Sequence, residues 1–215
     1  MKYTKEEARV KKQALTSLQV RAIPPVVKTT GISPTMSMKR VAVYCGANPG
    51  KNPIYTQAAI DVADWLAQHH LDLVYGGGGV GLMNVLAERA IKNGTYTIGI
   101  MPQFLVDREI AAPHLDEFYV TDDMDERKAK MLSLADACLA LPGGPGTLEE
   151  ISEAFSWARV GQNPNPCAFY NVNGYYDKLA DFFDHMVTEG FLTTEDRNKL
   201  LFSDSLEEIY NFMTR

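Results

Sequence analysis

No run in this chain approaches the roughly 18 consecutive apolar residues of a membrane-spanning helix, so no membrane partner is expected. The N-terminus has no apolar stretch of the signal-peptide kind, and none is read there. Cysteine is scarce. Cys45, Cys138 and Cys167 are odd in number, far apart, and form neither a CxxC unit nor a zinc-ligand spacing. Each lies in an apolar, strand-like run where a free thiol acts as a small hydrophobe, which points to a reducing cytoplasm. Histidine is also sparse: His69, His70, His114 and His185 form no H-x-E or H-E-x-x-H pattern, so no metal is expected. Internal repeats and low-complexity tracts are absent. An excess of positive charge is lacking too: the net charge is −6, which speaks against sequence-independent binding of nucleic acid.

What is present is the composition of an ordinary globular protein, with 46% hydrophobic and 22% charged residues over 215 positions. That length supports a substantial core. Charge is uneven. Residues 1–40 carry nine Lys or Arg against Glu6 and Glu7, a balance of +7. The remaining residues carry 12 basic and 25 acidic side chains, a balance of −13. The expected organisation is a basic N-terminal extension, 1–37, and one nucleotide-binding catalytic domain, 38–215. A short helix around Lys5–Leu18 is possible in the extension. The extension reads either as a surface arm without chemistry or as one that packs on the acidic body or a neighbouring subunit.

From Lys39 onward, strand and helix patterns alternate. Strands are expected at Arg40–Cys45, Leu71–Tyr75, Thr95–Met101, Glu117–Thr121, Ala137–Leu141 and Pro166–Asn171. Helices are expected from Ile54, over Leu82–Ile91, Asp123–Leu134, Thr147–Val160 and Tyr175–Thr188, and in short pieces at Thr194–Leu201 and Leu206–Met213. Such alternation, with near-continuous apolar strands such as ACLAL, predicts an α/β, Rossmann-like, doubly wound parallel sheet with helices on both faces. Ligands of such folds bind at the carboxyl ends of the strands, which directs attention to the loops there.

Three of these loops are rich in glycine. In Pro142–Glu150, PGGPGTLEE, Gly143, Gly144 and Gly146 let backbone N–H groups approach an anion at a helix start, and Thr147 adds a hydroxyl. A tight turn alone would need only one glycine. Glu150 has two readings: the second half of a Thr147-x-x-Glu150 capping box, or a carboxylate facing a sugar. The loop GGGGVG after Tyr75 matches the dinucleotide spacing G-x-G-x-x-G at Gly76, Gly78 and Gly81. The next strand, however, ends at Ile100-Met101-Pro102 without the acid a nicotinamide dinucleotide needs, so these glycines read as room for a bulky ligand. The loop GANPGKNP after Cys45 either completes an anion site or is a plain turn. Finally, DDMDERKAK opens a helix with Arg127, a natural bidentate partner for phosphate or carboxylate, in what is otherwise a solvated charged face.

Taken in order, these motifs resemble the LONELY GUY (LOG) family of cytokinin riboside 5′-monophosphate phosphoribohydrolases. The family's PGGxGTxxE is matched by Pro142, Gly143, Gly144, Gly146, Thr147 and Glu150. Its Met-His-x-Arg-Lys segment appears as Met124-Asp125-Glu126-Arg127-Lys128, its first loop as Cys45-Gly46-Ala47-Asn48, and its YGGG loop as Tyr75–Gly78. NVNGYYDKL and Gly190-Phe191 also look familial. The resemblance covers about residues 39–190 and implies hydrolysis of the N-glycosidic bond of a purine nucleoside 5′-monophosphate, without cofactor. It makes Arg127 and Glu150 the catalytic pair. It places substrate against Gly46, Ala47, Asn48, Gly77, Gly78, Met124, Lys128, Gly143, Gly144, Gly146 and Thr147. It implies a homodimer or higher homo-oligomer. The family's His is Asp125 here, and its loop serines are Ala47 and Asn48, so plain AMP stands beside cytokinin nucleotides as a candidate substrate. Related proteins have been labelled lysine decarboxylases, but no convincing lysine site for pyridoxal phosphate is evident in this sequence. The competing expectation is a non-catalytic nucleotide carrier, like the molybdenum cofactor carriers.

Overall fold

The computed structural model describes residues 38–108 and 111–215. The helix expected around Lys5–Leu18, like the rest of the extension, lies outside these residues. Seven strands form one sheet: β1 (Arg40–Tyr44), β2 (Asp72–Tyr75), β3 (Thr97–Pro102), β4 (Glu117–Thr121), β5 (Ala137–Ala140), β6 (Cys167–Tyr170) and β7 (Leu200–Ser203). Their order is β4-β3-β2-β1-β5-β6-β7, and every pairing is parallel. The connecting helices are α1 (Ile54–Gln68), α2 (Gly81–Lys92), α3 (Gln103–Val106), α4 (Met124–Leu134), α5 (Pro145–Arg159), α6 (Asp177–Thr188), α7 (Thr194–Arg197) and α8 (Leu206–Met213). No helix among the described residues is long and apolar enough to cross a membrane.

The sheet is buried on both faces, as its apolar strands require. Along β1, Val41 and Val43 face a core shared with α1, α2 and α8, where Leu66, Leu86 and Ile209 are buried. Ala42 and Tyr44 face the opposite core, with Met131 of α4, Ile151 and Phe155 of α5 and Phe183 of α6. This is the doubly wound Rossmann-like arrangement that the alternating pattern predicts. Its centre is a topological switch. β1 and β5 are neighbours, yet the chain leaves β1 toward α1 on one face and β5 toward α5 on the other. The two departing loops are joined where Gly46 N–H donates to the Pro142 carbonyl (3.2 Å), and the crevice beside them is where such folds take ligands.

Several boundaries differ from the sequence reading by a residue or two, and two of the differences bear on the fold and the site. The helix expected over Thr194–Leu201 stops at Arg197, and Leu200–Ser203 is instead a strand. Short apolar runs are ambiguous between helix and strand. Here the open edge of β6 decides, and Phe202 stacks on Phe169 with ring centroids 4.4 Å apart. The helix expected from Thr147 begins two residues earlier. Gly144 is its N-cap and Pro145 its first residue, a position suited to proline because the missing N–H would lack a helical partner anyway.

Candidate active site

The earlier start of α5 changes the meaning of Glu150. It is no longer three residues beyond the N-cap, so Thr147 and Glu150 form no capping box. The box is found on α4 instead. The Asp123 carboxylate accepts from Glu126 N–H (2.8 Å), and Glu126 reaches back to Asp122 N–H (2.8 Å). This start fixes the first turns of α4 and, with them, Arg127.

Arg127 is buried, 7% exposed, beneath the carboxyl ends of β2 and β3. Its Nε donates to the Ile100 carbonyl (3.1 Å), and its Nη1 donates to Glu150 Oε1. Both side chains of this ion pair are 9% exposed. Burial pushes the Glu150 carboxyl above its ordinary range, and Arg127 only partly draws it back. Glu150 also acts on Tyr44 and Cys45: burial first drives up both the hydroxyl and the thiol, Cys138 and then the carboxylate add to the effect on Tyr44, and the carboxylate adds to that on Cys45. Cys45 is therefore held as a thiol, not a nucleophile.

The glycine loops divide into two kinds. A Cβ on Gly76 would strike Arg127 Nη2, and one on Gly81 would strike the Ala47 backbone. One on Gly77 would come 2.8 Å from the Phe118 ring and 3.5 Å from Gly99 Cα. The loop after β2 thus makes room for protein, not for a bulky ligand. Gly77 and Gly78, expected against substrate, are buried and tied down. The Gly77 carbonyl accepts from Ala112 N–H (2.9 Å), and Gly78 bridges to Ala111. In the β5–α5 turn, Gly143 is accounted for in the same way, because Thr147 fills the space beside it. Gly144 and Gly146 are different. Both are exposed, neither has positive φ, and no described residue lies within 4 Å of the Cβ that each lacks. The described residues give no reason for glycine there. Backbone donors at such a helix start attract anions.

Two further expected contacts are placed otherwise. Thr147, expected to donate to phosphate, is 4% exposed and packs beneath Gly143, so it supports the turn from below. Lys128, expected near substrate, is committed to Glu149 (2.6 Å), Glu153 (2.7 Å) and Asp125 (3.5 Å). Hydrogen bonds to Glu149 and Glu153 raise its pKa, and the three carboxylates outnumber it, so it locks α4 to α5 and offers no free charge. Met124 is half-buried at the start of α4, Ala47 and Asn48 are exposed, and Gly46 is buried at the switch point.

A cleft of about 230 Å³ opens between the β1 loop and the β5–α5 turn, with Asn48, Gly50, Tyr55, Gly144 and Tyr175 among its walls. Arg127 and Glu150 do not line it. The glycine turn therefore stands between two features: the cleft, and the buried ion pair whose Glu150 is carried by the helix it opens. Sequence reasoning missed three parts of this arrangement. One is the Ile100 carbonyl that anchors Arg127. The others are the tyrosine hydroxyls that hold the turn: Tyr175 donates to the Gly143 carbonyl (2.6 Å), and Tyr176 donates to the Leu141 carbonyl (2.6 Å). The Asn-Gly turn in NVNGYYD was the available signal.

A buried Arg–Glu pair beside a glycine-rich helix start, at the switch point of a parallel sheet, places this chain in the Rossmann-like class, whose members take ligands at that crevice. The family model described as possible lysine decarboxylase matches residues 83–213. The chain is 41% identical over 171 residues to cytokinin riboside 5′-monophosphate phosphoribohydrolase LOG7 of Arabidopsis thaliana, covering 80% of this chain and 79% of that one. It is equally similar, at 41%, to the probable enzyme LOGL2 of Oryza sativa subsp. japonica, with 80% and 70% covered. The chain belongs to this family, the LONELY GUY family. Among solved structures, a molybdenum cofactor carrier protein from Chlamydomonas reinhardtii superposes with a TM-score of 0.61 at 16% identity, covering 83% of this chain and 100% of the carrier. The molybdenum cofactor binding protein of Rippkaea orientalis gives 0.59 at 21% identity, covering 82% and 95%. These two likenesses concern the fold alone.

Proposed function

We propose that this protein hydrolyses the N-glycosidic bond of purine nucleoside 5′-monophosphates, releasing free base and ribose 5-phosphate. The observation that carries this reading is the buried Arg127–Glu150 pair, whose Glu150 sits on the helix with a start, at Gly144 and Gly146, open to an anion. The relatives' names supply the reaction class. Residues 38–215 are the catalytic unit and 1–37 an extension. The active form is a homodimer or higher homo-oligomer in the cytoplasm.

In this mechanism the free N–H groups at the start of α5 hold the 5′-phosphate, assisted by the positive end of the helix. Fixing the phosphate positions the ribose. Cleavage leaves oxocarbenium-like positive charge on the sugar, as in other glycoside hydrolysis. The Glu150 carboxylate stabilises that charge or orients the attacking water. Arg127, tethered to Ile100, keeps Glu150 in one orientation. The test is incubation with AMP and with isopentenyladenosine monophosphate, followed by chromatography for free base. Release of base supports the reading, and failure with every purine monophosphate sinks it. Glu150→Gln keeps the shape and removes the charge, and an activity loss of about 10²- to 10⁴-fold is expected. A folded protein that bound nucleotide tightly without base release would favour the carrier reading.

A further inference from the structure

The paired tyrosines of Asn171–Tyr176 have no part in the chemistry above, yet one of them, Tyr175, lines the cleft. The segment is built to aim them. Asn171 Oδ1 accepts from Tyr176 N–H (2.7 Å) and its Nδ2 donates to Asp177 (2.7 Å), while Asn173 and Gly174 take left-handed φ of 56° and 65°. Tyr176 is buried under Leu141, and Tyr175 stands in the cleft wall with its hydroxyl on Gly143. The Tyr175 ring meets Tyr55 edge-on, with centroids 5.6 Å apart and planes at 74°. Tyr55 in turn rests on Gly50, where a Cβ would lie 2.8 Å from the ring and φ is +74°.

We propose that Tyr55 and Tyr175 limit the phosphate end of the site to a single phosphate. The proposal rests on the phosphoribohydrolase reading and adds to it that, with the ribose toward Glu150, the outer phosphate oxygens face the cleft. The cleft opens beside the glycine turn, and among the described residues no lysine or arginine lines it. Its other walls include the two tyrosine rings, Leu82 and Pro49. A second phosphate would enter this largely apolar space with further negative charge and no cationic partner among the residues that line it. Enclosing an unpaired anion is costly, and the faces of aromatic rings are themselves negative. A monophosphate leaves its charge at the helix start and asks nothing of the cleft. The rings therefore select by bulk and by the absence of a cation together.

The experiment is calorimetric titration of Glu150→Gln protein, which holds nucleotide without cleaving it, with AMP and with ADP. AMP is expected to bind about 100-fold more tightly than ADP. Adding Tyr55→Ala should shrink that ratio by about tenfold. Adding Tyr55→Lys, which supplies the missing cation, should raise ADP affinity outright. Adding Tyr175→Phe keeps the ring and frees the Gly143 carbonyl, so both nucleotides should weaken while their ratio stays. Equal affinity of the parent for AMP and ADP would overturn the proposal. So would an unchanged ratio in both Tyr55 variants, with thermal melts confirming that they fold. Absence of binding by either nucleotide overturns it together with the function. Selective binding of AMP with no base release by the unmutated enzyme overturns only the hydrolase.

Discussion

The loop after β2 and the turn after β5 are both read as ligand loops on the strength of their glycines, and the structure separates them. In the first, each of Gly76, Gly77 and Gly81 gives way to a protein neighbour: a guanidinium, an aromatic ring and a stretch of backbone. In the second, Gly144 and Gly146 give way to nothing in the folded chain. A glycine records that space is needed beside the backbone, not who occupies it. The protein-filled loop still serves the site, because Gly76 admits Arg127, and Gly81 lets the β1 loop close over the start of α2.

The difference predicts opposite signs for the same substitution. The largest effect belongs to Gly81→Ala. Its φ of +57° is left-handed, and the new Cβ would meet Ala47 backbone that cannot swing aside. A loss of about 3 kcal/mol in urea unfolding is expected. A loss below about 0.5 kcal/mol, the range of an inconsequential surface change, would break the comparison. Gly76→Ala comes next. Its obstacle is the far end of the Arg127 side chain, which can move, so the protein should fold. The ion pair with Glu150 is then disturbed, and base release should drop about 100-fold, in line with the loss of one aligned electrostatic group.

Gly146→Ala should act the other way. The position lies in the first turn of α5 with open space around it, so alanine should stabilise the fold by about 0.4–1 kcal/mol. The added methyl stands where the phosphate is placed, and the KM for AMP should rise about tenfold. A stabilised protein with unchanged KM would show that the glycine is not kept for ligand. The smallest effect concerns pH. Glu150 is held above the ordinary carboxylate range, so base release should fall on acidification at a pH above about 4.3, while the residual activity of Glu150→Gln stays level there. The sign for stability is opposite. The folded state takes up this proton more readily than the unfolded chain, so wild type should gain stability relative to Glu150→Gln as pH falls. Urea unfolding at neutral and mildly acidic pH measures that gap.

Much of the architecture was legible in the sequence because hydrophobic periodicity and strand-ending glycines are local signals. Continuous apolar strands announced a sheet buried on both faces, and each helix with a clear apolar stripe is present. The strand Leu200–Ser203 does not show in the sequence, which extends the preceding helix to Leu201, because four apolar-rich residues carry no period of their own and the edge of β6 recruits them. The site was legible in part. Arg127 and Glu150 were singled out and do meet, 23 positions apart. Lys128 and Thr147, named by the same motifs, turned out to support the scaffold. Charge and hydroxyl content say that a residue can bind phosphate, whereas only its neighbours say whether it is already bound elsewhere. Tyr55 and Tyr175 were not legible as cleft walls, since their partnership spans 120 residues of chain.

The sequence by itself determined that this is a parallel α/β protein with a glycine-rich turn at Pro142–Thr147 between a buried strand and a helix, because those properties follow from local pattern and backbone freedom. Tertiary structure alone decided that Glu150 belongs to Arg127 and not to a helix cap. The reason is where α5 begins: Pro145 starts the helix two residues early, and that shift carries the carboxylate off the first turn and onto the guanidinium held by Ile100.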